Sequence, residues 1–224
     1  MRHDPSGPAP ENRREGPALS VEVLRKALAG PLPGPAAQLR MAPSGRRVDP
    51  LDGTNWKQAA VLVLLYPIGG ELRFPLTRRH DDLPHHPGQI SLPGGSLEKD
   101  EGPEEAALRE TAEELGVDPA GIEILGRLSP LKIPPSRFEI VPFVGYLPER
   151  PVFLVESREV AELFEAPLSL LSEREAIGVE EWELRGGPSS VPFWKIGGHK
   201  VWGATAMVLA ELATILECSG NGRR

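Results

Sequence analysis

The sequence predicts an α+β fold from two observations. Stretches with helical spacing of apolar residues occur at both ends and once in the middle, and between them lie several short apolar runs that read as strands. Residues 1–18 are rich in Pro, Gly, Arg and Glu with little to bury, which predicts a flexible tail. From 19 to 29, Val21, Leu24, Ala27 and Leu28 recur at helical spacing behind Ser20, whose hydroxyl can cap the first turn. A Pro/Gly-rich linker runs on to about Gly53, so 19–53 is expected to be a helix and linker ahead of the main domain at 54–218, with 219–224 a flexible end. Residues 58–66 and 71–77 read as strands joined through Pro67-Ile68-Gly69-Gly70, a hairpin. The middle helix opens at Gly102-Pro103, since a proline at the first helical position gives up only an unpartnered N–H, and it ends at Gly116, which accepts a left-handed conformation. Beyond it, 122–128 and 138–147 read as strands, 157–164 as a capped helix, 180–184, 192–196 and 200–202 as further strands, and 204–217 as the closing helix. No internal repeat is present.

Composition narrows the function classes. A chain of 224 residues with 40% apolar content supplies the core of one domain with extensions. Lys plus Arg number 25 against 32 Asp plus Glu, a net charge of −7 without a dense basic block, which argues against nucleic acid as a partner. Cys218 is the single cysteine, so neither an intramolecular disulfide nor a cysteine-based zinc site can form, and a buried or incidental thiol is expected. The apolar run from Ala59 to Tyr66 is too short to cross a bilayer, and the N-terminus lacks the apolar core of a signal peptide. A cytoplasmic protein with no membrane role is the expectation.

The middle helix carries acids where a helix gains least from them. Glu110, Glu113 and Glu114 fall together on one side, and Leu108, Thr111, Ala112 and Leu115 are expected on the opposite, core-facing side. Glu110 and Glu114 form a like-charged i,i+4 pair, and all three lie towards the negative end of the helix dipole. A hard divalent cation such as Mg²⁺ resolves the conflict, because it takes oxygen ligands and completes its shell with water and substrate phosphate oxygens.

The full spacing is Gly95, Glu101, Arg109-Glu110, Glu113-Glu114, Gly116-Val117, or G-x5-E-x7-R-E-U-x-E-E-x-G-U with U a bulky aliphatic residue. It resembles the Nudix box of the Nudix hydrolase superfamily; only Thr111 departs, at a position usually Ile, Leu or Val. The resemblance implies an α/β/α sandwich with a mixed sheet and a loop-helix-loop catalytic motif. It implies hydrolysis of a diphosphate linkage with Mg²⁺ or Mn²⁺. Glu110 and Glu114 are then direct metal ligands, Glu113 a ligand to a second ion or to bound water, and the Gly95 carbonyl an additional ligand. In such proteins the arginine matching Arg109 orients the catalytic carboxylates, and Glu101 is its expected partner. The general base is left between Glu114, acting through metal-bound water, and Glu159.

A second motif, Leu76-Thr77-Arg78-Arg79, Gly88 and Leu92-Pro93-Gly94-Gly95, is similar to the signature of Nudix proteins that hydrolyse coenzyme A. Pro75, His80, Pro84 and Leu92 replace the Leu, Ser or Ala, Arg and Phe usual there. The segments Glu159-Val160 to Phe164-Glu165-Ala166-Pro167-Leu168 and Val201-Trp202-Gly203-Ala204-Thr205-Ala206 look like parts of the same subfamily. The implied reaction splits coenzyme A or a derivative into 4′-phosphopantetheine, or its acyl form, and adenosine 3′,5′-bisphosphate, with Arg79 as a phosphate contact. ADP-ribose or another nucleoside-diphosphate conjugate is the alternative substrate, and a Nudix-fold ligand sensor the non-enzymatic alternative. The expected partner is a small-molecule diphosphate, and the chain a monomer or homodimer. His85 and His86, adjacent on a Pro/Gly loop, are left unassigned, and Trp182, Trp194 and Trp202 are expected in core or dimer contacts.

Overall fold

The strand β1 (Lys57–Ile68) organises the molecule because both of its faces are apolar. Ala60, Leu62, Leu64 and Tyr66 point into one hydrophobic cluster, while Val63 and Leu65 point into the other. A strand of period two that is buried on both sides must lie inside a sheet with layers above and below. The computed structural model describes residues 20–45, 55–82, 88–156, 158–184 and 187–220. The tail at 1–18, the end at 221–224 and the Pro84-His85-His86 loop lie outside the described residues.

On one side β1 pairs antiparallel with β2 (Glu71–Arg79), forming the expected hairpin, with Tyr66 opposite Arg73 and Ile68 opposite Glu71. β2 carries β3 (Ile90–Ser91) on its edge, and β4 (Gly94–Ser96) pairs antiparallel with β1 across Ala59 to Val61. β5 (Glu123–Arg127) and β6 (Leu131–Ile133) both pair with β7 (Phe138–Tyr146). β7 runs parallel to β1 from Lys57 opposite Phe138 to Leu65 opposite Tyr146. With β8 (Val160–Pro167) paired to β2, the mixed sheet has eight strands. A smaller antiparallel sheet holds β9 (Ile177–Leu184), β10 (Gly187–Ile196) and β11 (His199–Val201), in the order β11-β10-β9.

Four helices close the layers. α1 (Val21–Leu28) starts at Ser20, whose Oγ accepts from the Val23 N–H as the sequence predicts. It buries Leu24 and Leu28 on the same side of the sheet as α4 (Gly203–Gly220). α4 is apolar almost all round, with Ala206 to Ala210, Leu212 and Ala213 each at most 3% exposed, so it has to be enclosed. α3 (Pro103–Leu115) covers the opposite face with Ala106, Ala107 and Leu115, giving an α/β/α arrangement.

Two expectations are corrected. The linker is not a bare connection where it is described: α2 (Pro35–Gln38) and a 3-10 turn at Leu39–Met41 bury Ala37, Gln38 and Met41 against α4. Gly34 supplies a left-handed φ of 64° and Pro35 the first helical position, a start signal that the surrounding Pro/Gly content hid. Of the segment expected as a capped helix at 157–164, residue 157 lies outside the described residues, 158–159 form a turn, and 160–164 are extended as part of β8. Val160, Leu163 and Phe164 suit helical spacing, but Arg73 to Arg79 of β2 offers an open edge, and cross-strand pairing from Arg73–Pro167 to Arg79–Val160 decides the outcome. Cys218 is exposed, which agrees with the incidental of its two expected readings.

A buried acidic side chain fastens the N-terminal elements. Glu211 on α4 is 0% exposed, and its carboxylate accepts hydrogen bonds from Gly34 N (3.0 Å), Gln38 Nε2 (2.9 Å) and Ser129 N (3.2 and 3.3 Å). One side chain therefore joins α2, α4 and the β5–β6 connection. No helix among the described residues is long and apolar enough to cross a membrane.

Candidate active site

α3 begins and ends where its sequence directs. Gly102 precedes Pro103 and donates its N–H to Glu105 Oε2 at 2.8 Å, and Gly116 closes the helix at φ 69° while donating to the Ala112 carbonyl. Its phase differs from the expected one. Ala106, Ala107, Thr111 and Leu115 are the buried positions, and Leu108 is only partly so. Glu110 and Glu114 fall among the buried positions in angle, so both point inward along β4 instead of away from the sheet. Small residues explain this: two alanines let α3 approach closely, and Thr111 satisfies its hydroxyl internally on the Ala107 carbonyl at 2.7 Å.

The close approach sets a requirement on β4. A Cβ added at Gly95 would collide with the Glu110 carboxyl group, and one at Gly94 with the Ala60 carbonyl and Val61. Glycine at these positions lets the strand run directly beneath the carboxylates.

Arg109 ties the loop to the helix. Its Nε and Nη2 donate to the two Glu101 oxygens at 2.8 and 3.0 Å, and Nη2 also reaches the Ser96 carbonyl at 3.1 Å. Its Nη1 donates to Glu110 at 3.0 Å and to Glu113 at 3.1 Å. Glu101 in turn accepts from the Glu98 N–H at 2.8 Å. The Arg109 hydrogen bonds, then that N–H, hold the Glu101 carboxyl below its ordinary pKa. Glu113 projects outward, 59% exposed, so the three helix carboxylates do not converge as expected.

Glu110 and Glu114 are destabilised as anions. Burial is the larger cause in each. It raises the Glu110 pKa against the opposing pull of Arg109. It pushes Glu114 up to about 8, helped by the Glu110 and Glu159 charges and opposed by Arg79 and a backbone hydrogen bond from Gly94. Glu114 Oε2 is buried with no hydrogen-bond partner. Such an atom costs stability unless something else binds it.

Arg79 stands at the end of β2, where the pairing with β8 shifts register between Arg78 and Arg79. Its Nη1 lies 3.3 Å from Glu159 Oε2, just ahead of β8, so Glu159 is not the first-turn helical acid its sequence context suggested. The connection bearing Glu159 is strapped onto the end of α3: Leu154 N donates to the Leu115 carbonyl and Glu156 N to the Glu114 carbonyl, at 2.8 and 2.9 Å.

These groups open into a cleft of about 1170 Å³. Glu114, Arg79 and Gly95 are among the residues that line it, and so are Lys57, Phe138 and Trp202. The last three come from β1, β7 and the start of α4, and nothing in their local sequence marks them as neighbours. Trp194 is core, 2% exposed, with its indole N–H on the Ala206 carbonyl at 3.3 Å; Trp182 packs edge-on against Trp202.

Among the described residues no three acidic, histidine or cysteine side chains form a group able to hold an ion by themselves. The donor set still fits a hard divalent cation. An orphaned buried carboxylate oxygen on Glu114 lies beside a second inward carboxylate, next to a cleft that admits water and phosphate oxygens.

The chain matches the model of the NUDIX domain over residues 56–183. It is 37% identical over 182 residues to the uncharacterized Nudix hydrolase NudL of Pectobacterium atrosepticum, covering 79% of this chain and 88% of that one. It is 35% identical over 170 residues to the chloroplastic Nudix hydrolase 22 of Arabidopsis thaliana, covering 71% of this chain, but it spans only 55% of that protein's length. Among solved structures, a MutT/nudix family protein from Enterococcus faecalis aligns with a TM-score of 0.48 at 18% identity, covering 77% of this chain and 64% of the other.

Proposed function

Since the chain belongs to the Nudix hydrolase family, we propose that it hydrolyses the diphosphate linkage of coenzyme A or its derivatives, with Mg²⁺ or Mn²⁺ held by Glu110 and Glu114. The observation that carries the reading is the unpartnered Oε2 of Glu114, buried beside a cleft that Arg79 also lines. When bound, the divalent ion would supply Lewis-acid stabilisation of the diphosphate charge and acidify a bound water.

The remaining work belongs to the chain. Arg79 offers a planar fork of donors to a phosphate oxygen, and exchanging Glu159 for substrate costs it little because the pair is exposed on the carboxylate side. Glu159, released from Arg79, takes the proton of the attacking water; Glu114 is the alternative base. Arg109 fixes Glu110 and the loop at Ser96 to Glu101, so the carboxylates are positioned before substrate arrives. The Gly95 carbonyl is assigned as a further ligand, whereas Glu113, turned outward and hydrogen-bonded to Arg109, is not placed at the ion.

The motif Leu76-Thr77-Arg78-Arg79 with Leu92-Pro93-Gly94-Gly95 supports coenzyme A as the substrate. The departures at Pro75, His80, Pro84 and Leu92 keep an ADP-ribose-type conjugate as the second reading. The test is kcat/KM for coenzyme A, dephospho-coenzyme A, ADP-ribose and NADH with Mg²⁺ and with Mn²⁺. Coenzyme A is expected to lead; ADP-ribose in first place would overturn the coenzyme A reading and leave a general diphosphatase.

A further inference from the structure

The cleft is longer than the diphosphate corner needs, and its far end has its own chemistry. Among the described residues lining it, the positive side chains are Arg79 and Lys57. Arg79 is committed to the carboxylate corner by Glu159 and by its effect on Glu114. Lys57 lies three residues along β1 from Ala60, the Cα partner of Gly95, which is roughly 10 Å at the rise of a strand. Its direct partner on β7 is Phe138, and its ammonium sits 5.7 Å from the centre of that ring. Lys57 is exposed and Phe138 half-buried. Both line the cleft, together with Pro134 and Pro135 of the β6–β7 turn.

We propose that Lys57 and Phe138 form a subsite for the nucleoside end of the substrate, selecting a nucleoside that carries a phosphomonoester in addition to the diphosphate. This rests on the diphosphatase reading and deepens it. A cation held over an aromatic face at an exposed site is only weakly held, so the ammonium is easily exchanged for a better partner. A base entering the cleft takes the ammonium's place on the Phe138 ring, and the flexible lysine stem swings its charge onto the extra phosphate. Two cations in one cleft, Arg79 by the carboxylates and Lys57 further along β1, thus match a ligand with a diphosphate and a separate phosphate one nucleoside away. A simple nucleoside diphosphate would use Arg79 and leave Lys57 idle.

The test is calorimetric binding of two probes without metal, adenosine 3′,5′-bisphosphate and AMP, to the wild type, Lys57→Gln and Phe138→Leu, each first shown to melt cooperatively. The wild type is expected to prefer the bisphosphate about tenfold, as for a charge-assisted contact at an open site. Lys57→Gln is expected to close that gap to within about twofold, and Phe138→Leu to weaken both probes by a similar factor, about tenfold for one lost stacking contact. Equal binding of the two probes by the wild type, or a gap that survives in folded Lys57→Gln, overturns the subsite. Turnover of coenzyme A and ADP-ribose by the wild type separates the two claims. Coenzyme A hydrolysis without a gap rejects the subsite and keeps the diphosphatase reading, whereas a gap without coenzyme A hydrolysis keeps the subsite and rejects that substrate.

Discussion

Glu211 and Glu114 both sit on helices packed against the central sheet and both are withdrawn from water, but the protein treats them in opposite ways. Around Glu211 three N–H groups from Gly34, Gln38 and Ser129 converge, so each oxygen accepts and the carboxylate becomes a fastener between distant segments. Around Glu114 one oxygen has no partner, and burial, with the Glu110 and Glu159 charges, outweighs Arg79 and the Gly94 hydrogen bond and drives the carboxyl up to about 8. A buried acid with its hydrogen bonds complete is architecture. One left incomplete beside a cleft is held in readiness for a ligand, at a cost in stability that the rest of the fold bears.

The contrast can be broken first at Glu114. Glu114→Gln keeps the shape and removes the charge, and turnover is expected to fall on the order of a thousandfold, the scale of losing metal-assisted charge stabilisation. Circular dichroism should show an unchanged fold. Near-normal turnover by a folded Glu114→Gln protein would place the chemistry elsewhere.

Glu211→Ala should behave in the reverse manner. It strands buried donors at Gly34, Gln38 and Ser129, so a loss of about 3 kcal/mol in urea unfolding is expected, with kcat of the folded fraction unchanged. A fall in kcat at constant stability would contradict the division of labour.

A smaller effect concerns pH. The Glu114 carboxyl has an ordinary value of 4.5 and a folded value of about 8. Between those values the folded state binds more protons than the unfolded one, so in chelator the metal-free protein should lose stability as pH rises from about 4.5 to about 8 and level off above. Glu114→Gln should flatten this slope and melt a few degrees higher than wild type at pH 8, on the order of 1–2 kcal/mol. Parallel melting curves for the two proteins across that range would show that Glu114 is not the group under strain.

The sequence was informative where the signals are local. Ser20, Pro103 and Gly116 mark helix ends by capping chemistry that needs no tertiary context, and the α1 and α3 boundaries follow them. The apolar run of β1 marks a strand of the hairpin, though not its burial on both faces. At the candidate site, the family resemblance that Glu101, Arg109 and Glu110 help to carry implied the arginine clamp. What escaped depends on neighbours far along the chain. Whether Glu114 points in or out turns on how closely α3 approaches β4, which the glycines of β4 permit. Residues 160–167 carry apolar positions compatible with either period, and only the β2 edge makes them a strand. Lys57, Phe138 and Trp202 meet in the cleft through three separate segments, so no motif could join them.

The central claim, that Glu114 is left incomplete in order to take a cation together with a diphosphate, is tested most directly by titrating Mn²⁺ calorimetrically with and without a methylene-bridged diphosphate analogue. Two inward carboxylates and an open cleft form no protein cage, so Mn²⁺ alone should bind weakly, the analogue should tighten it at least about tenfold, and Glu114→Gln should abolish that coupling. Tight Mn²⁺ binding that ignores the analogue and survives Glu114→Gln would contradict the account.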